Sequence, residues 1–373
     1  MKAADIDGDG DLDLFIGGRV VPGQYPLPAA SYILRNDSRG NQVLFTDVTA
    51  EWAPELKTIG LVCDALWTDF NNDSKPDLVI AGEWMPLQFF TNQGTKLQNI
   101  SATSGIDQEK GWWTSLVAGD FDNDGDIDYV AGNLGGNSFL QASHQYPVRL
   151  YAKDFDNNHS IDLITTVYLP DENGVKREYP AQTRDDHVDQ VPALKKKFLT
   201  YKEFGKATID DLFAPENLKT ALKLEATHFN TALIENQGNG LFRLHDLPAA
   251  AQWAPVFGMV ADDFNNDGNL DLAINGNDFG NEVTNGRYDA LNGLVLLGNG
   301  KNRFKPLPMQ QSGICIPGNG RAIAKLQTVQ GYTLAASQHN GPLLLFGKRR
   351  TNASQHVTVP PGRPGQKQST PPR

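Results

Sequence analysis

Oxygen-bearing side chains recur at alternate positions in five nine-residue stretches of this chain. They are Asp5-Ile-Asp7-Gly-Asp9-Gly-Asp11-Leu-Asp13, Asp69-Phe-Asn71-Asn-Asp73-Ser-Lys75-Pro-Asp77 and Asp120-Phe-Asp122-Asn-Asp124-Gly-Asp126-Ile-Asp128, followed by Asp154-Phe-Asp156-Asn-Asn158-His-Ser160-Ile-Asp162 and Asp263-Phe-Asn265-Asn-Asp267-Gly-Asn269-Leu-Asp271. Oxygens at positions 1, 3 and 5 converge on one point only if the backbone curls around it. Glycine at position 6 permits the turn, and a carbonyl at position 7 and a carboxylate at position 9 close the shell. Soft nitrogen and sulfur donors are missing from the pattern, so the implied partner is a hard cation. Six or seven flexible oxygens suit calcium better than magnesium. Loops 2 and 4 carry Ser74 and His159 in place of the glycine. A non-glycine residue in a left-handed conformation has a steric cost, so those two sites are expected to be weaker than loops 1, 3 and 5.

Asp, Asn and Gly clusters also make ordinary turns, but five in one register go beyond what turns require. An EF-hand is excluded, because loop position 12 is Ile16, Ile80, Ala131, Thr165 or Ile274, none of which can supply the closing carboxylate. Short apolar runs follow four of the loops, as in Asp77-Leu-Val-Ile-Ala81, and extended segments such as Trp113–Ala118 precede three of them. Each loop therefore joins two strands of a hairpin.

A second motif alternates with the first: a strand, a tight Asn/Gly turn and another strand, at Tyr32–Asn36, Leu87–Asn92, Ala232–Phe242 and Gly293–Phe304. Two hairpins per repeat make a four-stranded sheet, the blade of a β-propeller. The first aspartates of successive loops are 64, 51, 34 and 109 residues apart. The gap of 34 is short for four strands, which makes loop 4 an outer hairpin or part of a reduced blade. The expected fold is all-β, with about six or seven four-stranded blades, calcium-binding hairpin loops and one helical insertion. Residues 318–346 look like a last blade without a metal loop.

The aspartate loops followed by [LI]-D-[LY]-x-[VI], together with the N-x-G-x-x-F turns, resemble the FG-GAP/VCBS repeat family over roughly residues 1–346. That family includes integrin α-subunit propellers and secreted or surface proteins of bacteria. The resemblance implies calcium at the quoted loop residues, on the lower rim of a propeller. An integrin-type Phe-Gly…Gly-Ala-Pro motif is not evident, so integrin-like ligand recognition is not implied.

Nineteen of the 44 acidic residues lie in the five windows, and five Ca²⁺ would bring the formal charge of −11 close to neutral. The acidity is thus mostly a metal-site signature, and no basic stripe supports nucleic-acid binding. No apolar run reaches the ~18 residues of a membrane span. The chain opens almost at once on Asp5, so the strand before loop 1 is expected to be missing. Export signals are expected in a longer parent, with an extracellular or cell-surface setting matched to weak calcium sites. Cys63 and Cys315 are read as free and buried, and the 347–373 tail, rich in Pro, Gln and Ser, as disordered.

In a propeller the metal loops share one rim, and the opposite rim collects polar turns. The candidate ligand-binding residues there are Arg19, Glu83, Trp84, Asn133, Asn137, Asn277, Asp278, Asn281, Gln338, His339 and Asn340. They suit a sugar or peptide, although Asn and Gly also simply turn chains. An insertion at 170–226 leaves this rim, with helical spacing at Ala193–Phe204 and Pro215–Glu225. The leading expectation is a noncatalytic propeller that binds a protein or glycan. The alternative is a polysaccharide lyase or hydrolase, for which Glu83, Asp278, His187 and His339 are the acid/base candidates. Arg184-Asp185-Asp186-His187 is the one cluster resembling catalytic chemistry, though adjacent residues on one strand or loop rarely converge.

Overall fold

The computed structural model describes residues 1–281, 286–329 and 331–347. Blade 1 is built from β1 (Lys2–Ala4), β2 (Asp13–Ile16), β3 (Tyr32–Asn36) and β4 (Phe45–Asp47) in that order. The strand expected to be missing before loop 1 is therefore present: Lys2 to Ala4 pair with Phe15 to Asp13. The loop fixes the hairpin register, so even three residues can join the ladder.

Blade 2 has β5 (Leu61–Thr68), β6 (Asp77–Met85), β7 (Gln88–Asn92) and β8 (Leu97–Asn99), with β9 (Gly111–Trp112) pairing onto the far end of β6. Blade 3 begins with β10 (Ser115–Gly119) and β11 (Asp128–Gly132), and the chain then departs. It forms a separate sheet from β12 (Val148–Lys153), β13 (Asp162–Pro170), β14 (Lys176–Pro180) and β15 (Leu222–Ala226), in the order β14-β13-β12-β15. It returns as β16 (Ala232–Asn236) and β17 (Phe242–Asp246) to complete blade 3. Blade 4 is β18 (Val256–Asp262), β19 (Asp271–Gly276), β20 (Leu294–Gly298) and β21 (Phe304–Leu307). Blade 5 is β22 (Gly320–Thr328), β23 (Gly331–Gln338) and β24 (Leu344–Gly347), a three-stranded sheet without a metal loop.

The first strands β1, β5, β10, β18 and β22 neighbour one another in that order, so among the described residues five blades, rather than the expected six or seven, stack radially as a β-propeller; the inserted sheet takes up one of the loops that had suggested a further blade. The alternation of the second strands shows why. Leu78 and Ile80 of β6 pack toward Phe15 and Ile33 of blade 1, while Val79 and Ala81 pack toward Leu116 and Tyr129 of blade 3. On β19, Leu272 and Ile274 meet blade 3 and Ala273 meets blade 5. Middle strands buried on both faces need continuous apolar runs, and such runs stand directly after the metal loops of the ring.

The irregular spacing of the loops is now explained. Loop 4 belongs to the inserted sheet, and the insertion spans everything between β11 and β16 rather than 170–226. One face of this sheet lies on the ring: Val148, Leu150, Val167 and Ala226 share a core with Leu61 and Trp84 of blade 2, and Leu134 and Phe229 at the insertion's two junctions with blade 3. Tyr25 and Tyr288, from blades 1 and 4, pack against the same core. The other face, with Tyr151 and Ile164, carries short helices through Val191, Leu194, Phe198, Phe204 and Leu212.

Two helix expectations change. The Ala193–Phe204 stretch breaks into Leu194–Lys197 and Tyr201–Phe204, because Thr200 caps the second helix with Glu203. Of Pro215–Glu225 only Pro215–Thr220 is helical, and Leu222, Leu224 and Ala226 alternate on β15 against β12. The tail from residue 348 onward lies outside the described residues. Both cysteines are free, but Cys315 is exposed rather than buried.

Candidate metal loops and ligand-binding face

All five loops share one hydrogen-bonding scheme. In loop 1, Asp5 accepts the backbone N–H groups of Gly8 (2.8 Å) and Asp9 (3.1 Å) on Oδ1 and of Gly10 (3.0 Å) on Oδ2. Asp69, Asp120, Asp154 and Asp263 accept the N–H groups of positions 5 and 6 of their loops in the same way. The position 3 side chains Asp7, Asn71, Asp122, Asp156 and Asn265 accept from position 5. Those of Asp9, Asp73, Asp124, Asn158 and Asp267 accept from position 7. This curl turns the oxygens toward one centre. The carboxylates of Asp5, Asp7 and Asp13 have oxygens within 4.8 Å of one another, as do Asp120, Asp122 and Asp128, and Asp154, Asp156 and Asp162. Loops 2 and 5 put an amide oxygen, from Asn71 or Asn265, where the others have a carboxylate. An all-oxygen cluster of this size with lone pairs to spare fits a calcium ion.

The left-handed turn expected at position 6 is present, with φ of 96° at Gly10, 66° at Ser74, 96° at Gly125, 69° at His159 and 88° at Gly268. Position 4 is left-handed too, and Asn72, Asn123, Asn157 and Asn266 occupy it at φ 58–64°. Asparagine tolerates that region better than other side chains.

Position 9 has a second role that sequence reasoning missed. Asp13, Asp77, Asp128 and Asp271 each accept the position 2 N–H on Oδ2. Their Oδ1 atoms accept the N–H of Asn36, Asn92, Asn236 and Gly298 at the end of the third strand. Asn92 and Asn236 in turn donate their side-chain amides to the carbonyls of Ile6 and Phe70 in the preceding blade's loop. The recurrent asparagine that closes the third strand is thus an inter-blade tie, beyond its role in the turn. Burial, reinforced by neighbouring carboxylates, pushes Asp77 and Asp128 up to about 7. A positive charge beside such carboxyls favours their ionised form.

Position 7 links loops sideways. Asp126 accepts from Asn72 (2.6 Å) and Asn269 from Asn123 (2.9 Å). Lys75 instead leans its ammonium toward Asp73 at 3.9 Å, and Ser160 stays in the separate loop 4. In blade 1 the Oδ1 of Asp11 is buried without a hydrogen-bond partner. Ring loops 2, 3 and 5 therefore touch along one rim, loop 1 joins them through Asn92, and loop 4 does not belong to that rim.

At the opposite end the candidate residues divide into three groups. Arg19 pairs with Glu83, whose other oxygen faces the Tyr25 hydroxyl at 3.4 Å; burial raises the Glu83 carboxyl. Trp84 donates to Tyr25 at 2.8 Å, packs edge-on against Trp112 and has a left-handed φ of 62°. This strained indole is buried under the inserted sheet. Asn133 and Asn277 are fully buried and hold the backbone: Asn133 accepts from Trp112 and Leu134 and donates to His228, and Asn277 accepts from Leu291 and donates to Gly318. Asn137 and Asn281 likewise donate to the carbonyls of Trp253 and Gly286.

The third group lines an open cavity, although Gln338 also holds the backbone there, accepting from the Gly318 N–H at 2.9 Å and donating to the Pro342 carbonyl at 2.9 Å. Gln338, His339 and Asn340 line a cavity of about 760 Å³ between blades 4 and 5 with Phe279, Asn319 and Arg321. Arg321 is pinned there between Asp278 (3.1 Å) and the Phe257 ring (4.3 Å), and the Asn319 Oδ1 is buried and unpartnered. Neither Arg321 nor Asn319 stands out in the sequence: the arginine opens an apparent first strand, and the asparagine lies just before it. Of the acid/base candidates, Glu83 is engaged with Arg19 and Asp278 with Arg321, while His339 lies beside Asn340. His187 is fully buried in the helical cap with neither ring nitrogen partnered.

Residues 69–131 match the family model of an FG-GAP-like repeat. That segment runs from the first aspartate of loop 2 to the strand after loop 3, so it holds one full repeat of the motif derived above. The chain is a β-propeller that carries an FG-GAP repeat. No curated protein matches it. Among solved structures it is similar to the crystal structure of BBS1N in complex with ARL6DN, soaked with lead, at 13% identity over 94% of this chain and 92% of that one. The TM-score is 0.28, and a superposition that loose bears on neither fold nor function.

Proposed function

We propose that this protein is a noncatalytic, calcium-stabilised β-propeller that binds a protein or glycan partner outside the cell. The reading rests on one observation above all: five loops of differing sequence commit backbone N–H groups to their aspartates in one scheme, and in loops 1, 3 and 4 three carboxylates gather within 4.8 Å of one another. Like-charged oxygens crowded together without a cation repel one another, and a divalent ion removes that cost. A site with a Kd of ~10⁻⁴ M in ~1 mM calcium adds about 1.4 kcal/mol. Ring loops that touch each other spread this bracing from blade to blade.

The partner site is the open cavity between blades 4 and 5, because the insertion's apolar underside covers much of the rest of the upper face. His339 and Asn340 offer both donors and acceptors there, beside the Arg321 guanidinium. A glycan array probed with the calcium-loaded chain, then with Gln338→Ala/His339→Ala, tests this. Bound spots should dim at least tenfold in the variant; unchanged binding would contradict the assignment.

A further inference from the structure

A second cleft, on the flank of the propeller, has a different chemistry. It lies between the outer strands β16 and β17 of blade 3 and the turn that follows β20 in blade 4, with a volume of about 760 Å³. Arg243, Lys301 and Arg303 line it, and all three are exposed. Among the described residues none of them has an ion-pair partner, whereas Arg19, Arg149, Arg177, Arg321 and Lys325 are each neutralised by a carboxylate. Three unpaired cations around one cleft are unusual in a chain with 44 acids against 33 bases. Nearby acids are occupied: Glu235 bonds His245 at 2.7 Å, and Asp246 faces His228 at 3.2 Å. Asn302 donates to Asp122 at 2.7 Å, but its Oδ1 is buried without a partner. Phe304, braced edge-on by Phe121 at 5.6 Å, supplies an apolar wall.

We propose that this cleft binds an acidic saccharide. Its carboxylate lies among Arg243, Lys301 and Arg303, and the sugar face rests on Phe304. Guanidinium groups favour carboxylates through paired N–H donors. The surroundings argue against an extended polyanion such as nucleic acid. Its phosphates would have to pass the carboxylates of loop 3, two of which, Asp122 and Asp124, form part of the cleft wall. A single anionic group avoids that repulsion. The site is independent of the blade 4–5 cavity, so each assignment can fail without the other.

Titration calorimetry on the full, calcium-loaded chain tests it, with the monosaccharide methyl galacturonoside, neutral methyl galactoside and inorganic sulfate as probes. The uronate should bind at least tenfold more tightly than either other probe. Arg243→Gln/Arg303→Gln should weaken it at least tenfold and Lys301→Gln several-fold. Lys96→Gln, on another blade, and Gln338→Ala/His339→Ala should leave it unchanged. The arginines are exposed, so the melting temperature of the variants should match the parent. No uronate binding, equal binding of the neutral sugar or of sulfate, or binding indifferent to Arg243 and Arg303 would overturn the proposal.

Discussion

Loop 3 and loop 4 carry nearly the same sequence and the same internal hydrogen bonds, yet they do different work. Asp128, at the end of loop 3, takes the N–H of Phe121 on one oxygen and that of Asn236, 108 residues away, on the other. Asp162, at the end of loop 4, takes only that of Phe155. The difference follows from topology. In a ring blade the third strand pairs with the second and ends beside the position 9 carboxylate. In the inserted sheet β13 is flanked by β12 and β14, and β14 ends at Pro180 beside Thr166, away from Asp162. The same loop therefore acts as a blade clasp only where the fold brings a third strand to it.

Calcium removal should separate the two regions most strongly. Four of the five sites brace the ring, so EDTA should cost it about 5–6 kcal/mol at ~1.4 kcal/mol per site, against about 1.4 for the inserted sheet. Thermal unfolding with and without EDTA reads this as a melting temperature that falls by many degrees and recovers on adding calcium. An unchanged transition breaks the comparison at its root.

Next in size is the clasp itself. Asp128→Ala deletes two hydrogen bonds to a charged acceptor and should cost about 4 kcal/mol, whereas Asp162→Ala deletes one and should cost about 2. Urea unfolding in calcium measures both; equal losses would mean that the clasp adds nothing.

Acid should loosen the cap. Burial holds the His187 imidazole down to about 4 from an ordinary 6.5. The folded cap thus binds fewer protons than the unfolded one, so its stability is complete above pH 6.5 and declines as pH falls toward 4, by about 3 kcal/mol in all. Hydrogen exchange in residues 184–220 should quicken over that window, and His187→Leu should abolish the effect. A profile indifferent to that substitution would place the sensitivity elsewhere.

The smallest contrast is backbone strain. Ser74→Gly in the ring and His159→Gly in the inserted sheet each relieve a left-handed non-glycine residue, and each should strengthen calcium binding at its own loop by about 1 kcal/mol. Calorimetry of the two variants against the parent gives the answer directly. Weaker binding in either would show that the side chain matters more than its φ.

The loops, their hairpins and the blade repeat were legible because the ligand spacing and the period-2 alternation are local properties. Even the left-handed position 6 could be read from three glycines. What was not legible depends on contacts between distant segments. The short gap of 34 residues before Asp154 marks loop 4 as irregular, but that its hairpin belongs to a separate sheet shows only when β11 pairs with β16. Pro215–Glu225 has helical spacing as far as Thr220 and then strand alternation, and pairing with β12 decides between them. Trp84 and Glu83 suited a ligand pocket until the insertion was seen to cover the indole. Arg321 and Asn319 join the open cavity only because blade 5 folds beside blade 4.

The most direct test of calcium bracing is a count of bound ions. Equilibrium dialysis of the chelator-stripped protein against millimolar calcium should give about five ions per chain, on the order set by the five oxygen loops. Asp154→Ala should give four with the ring's melting temperature intact, and Asp120→Ala should give four with that temperature lowered. A protein that binds no calcium at millimolar concentration, or that loses the same stability in both variants, would contradict the account.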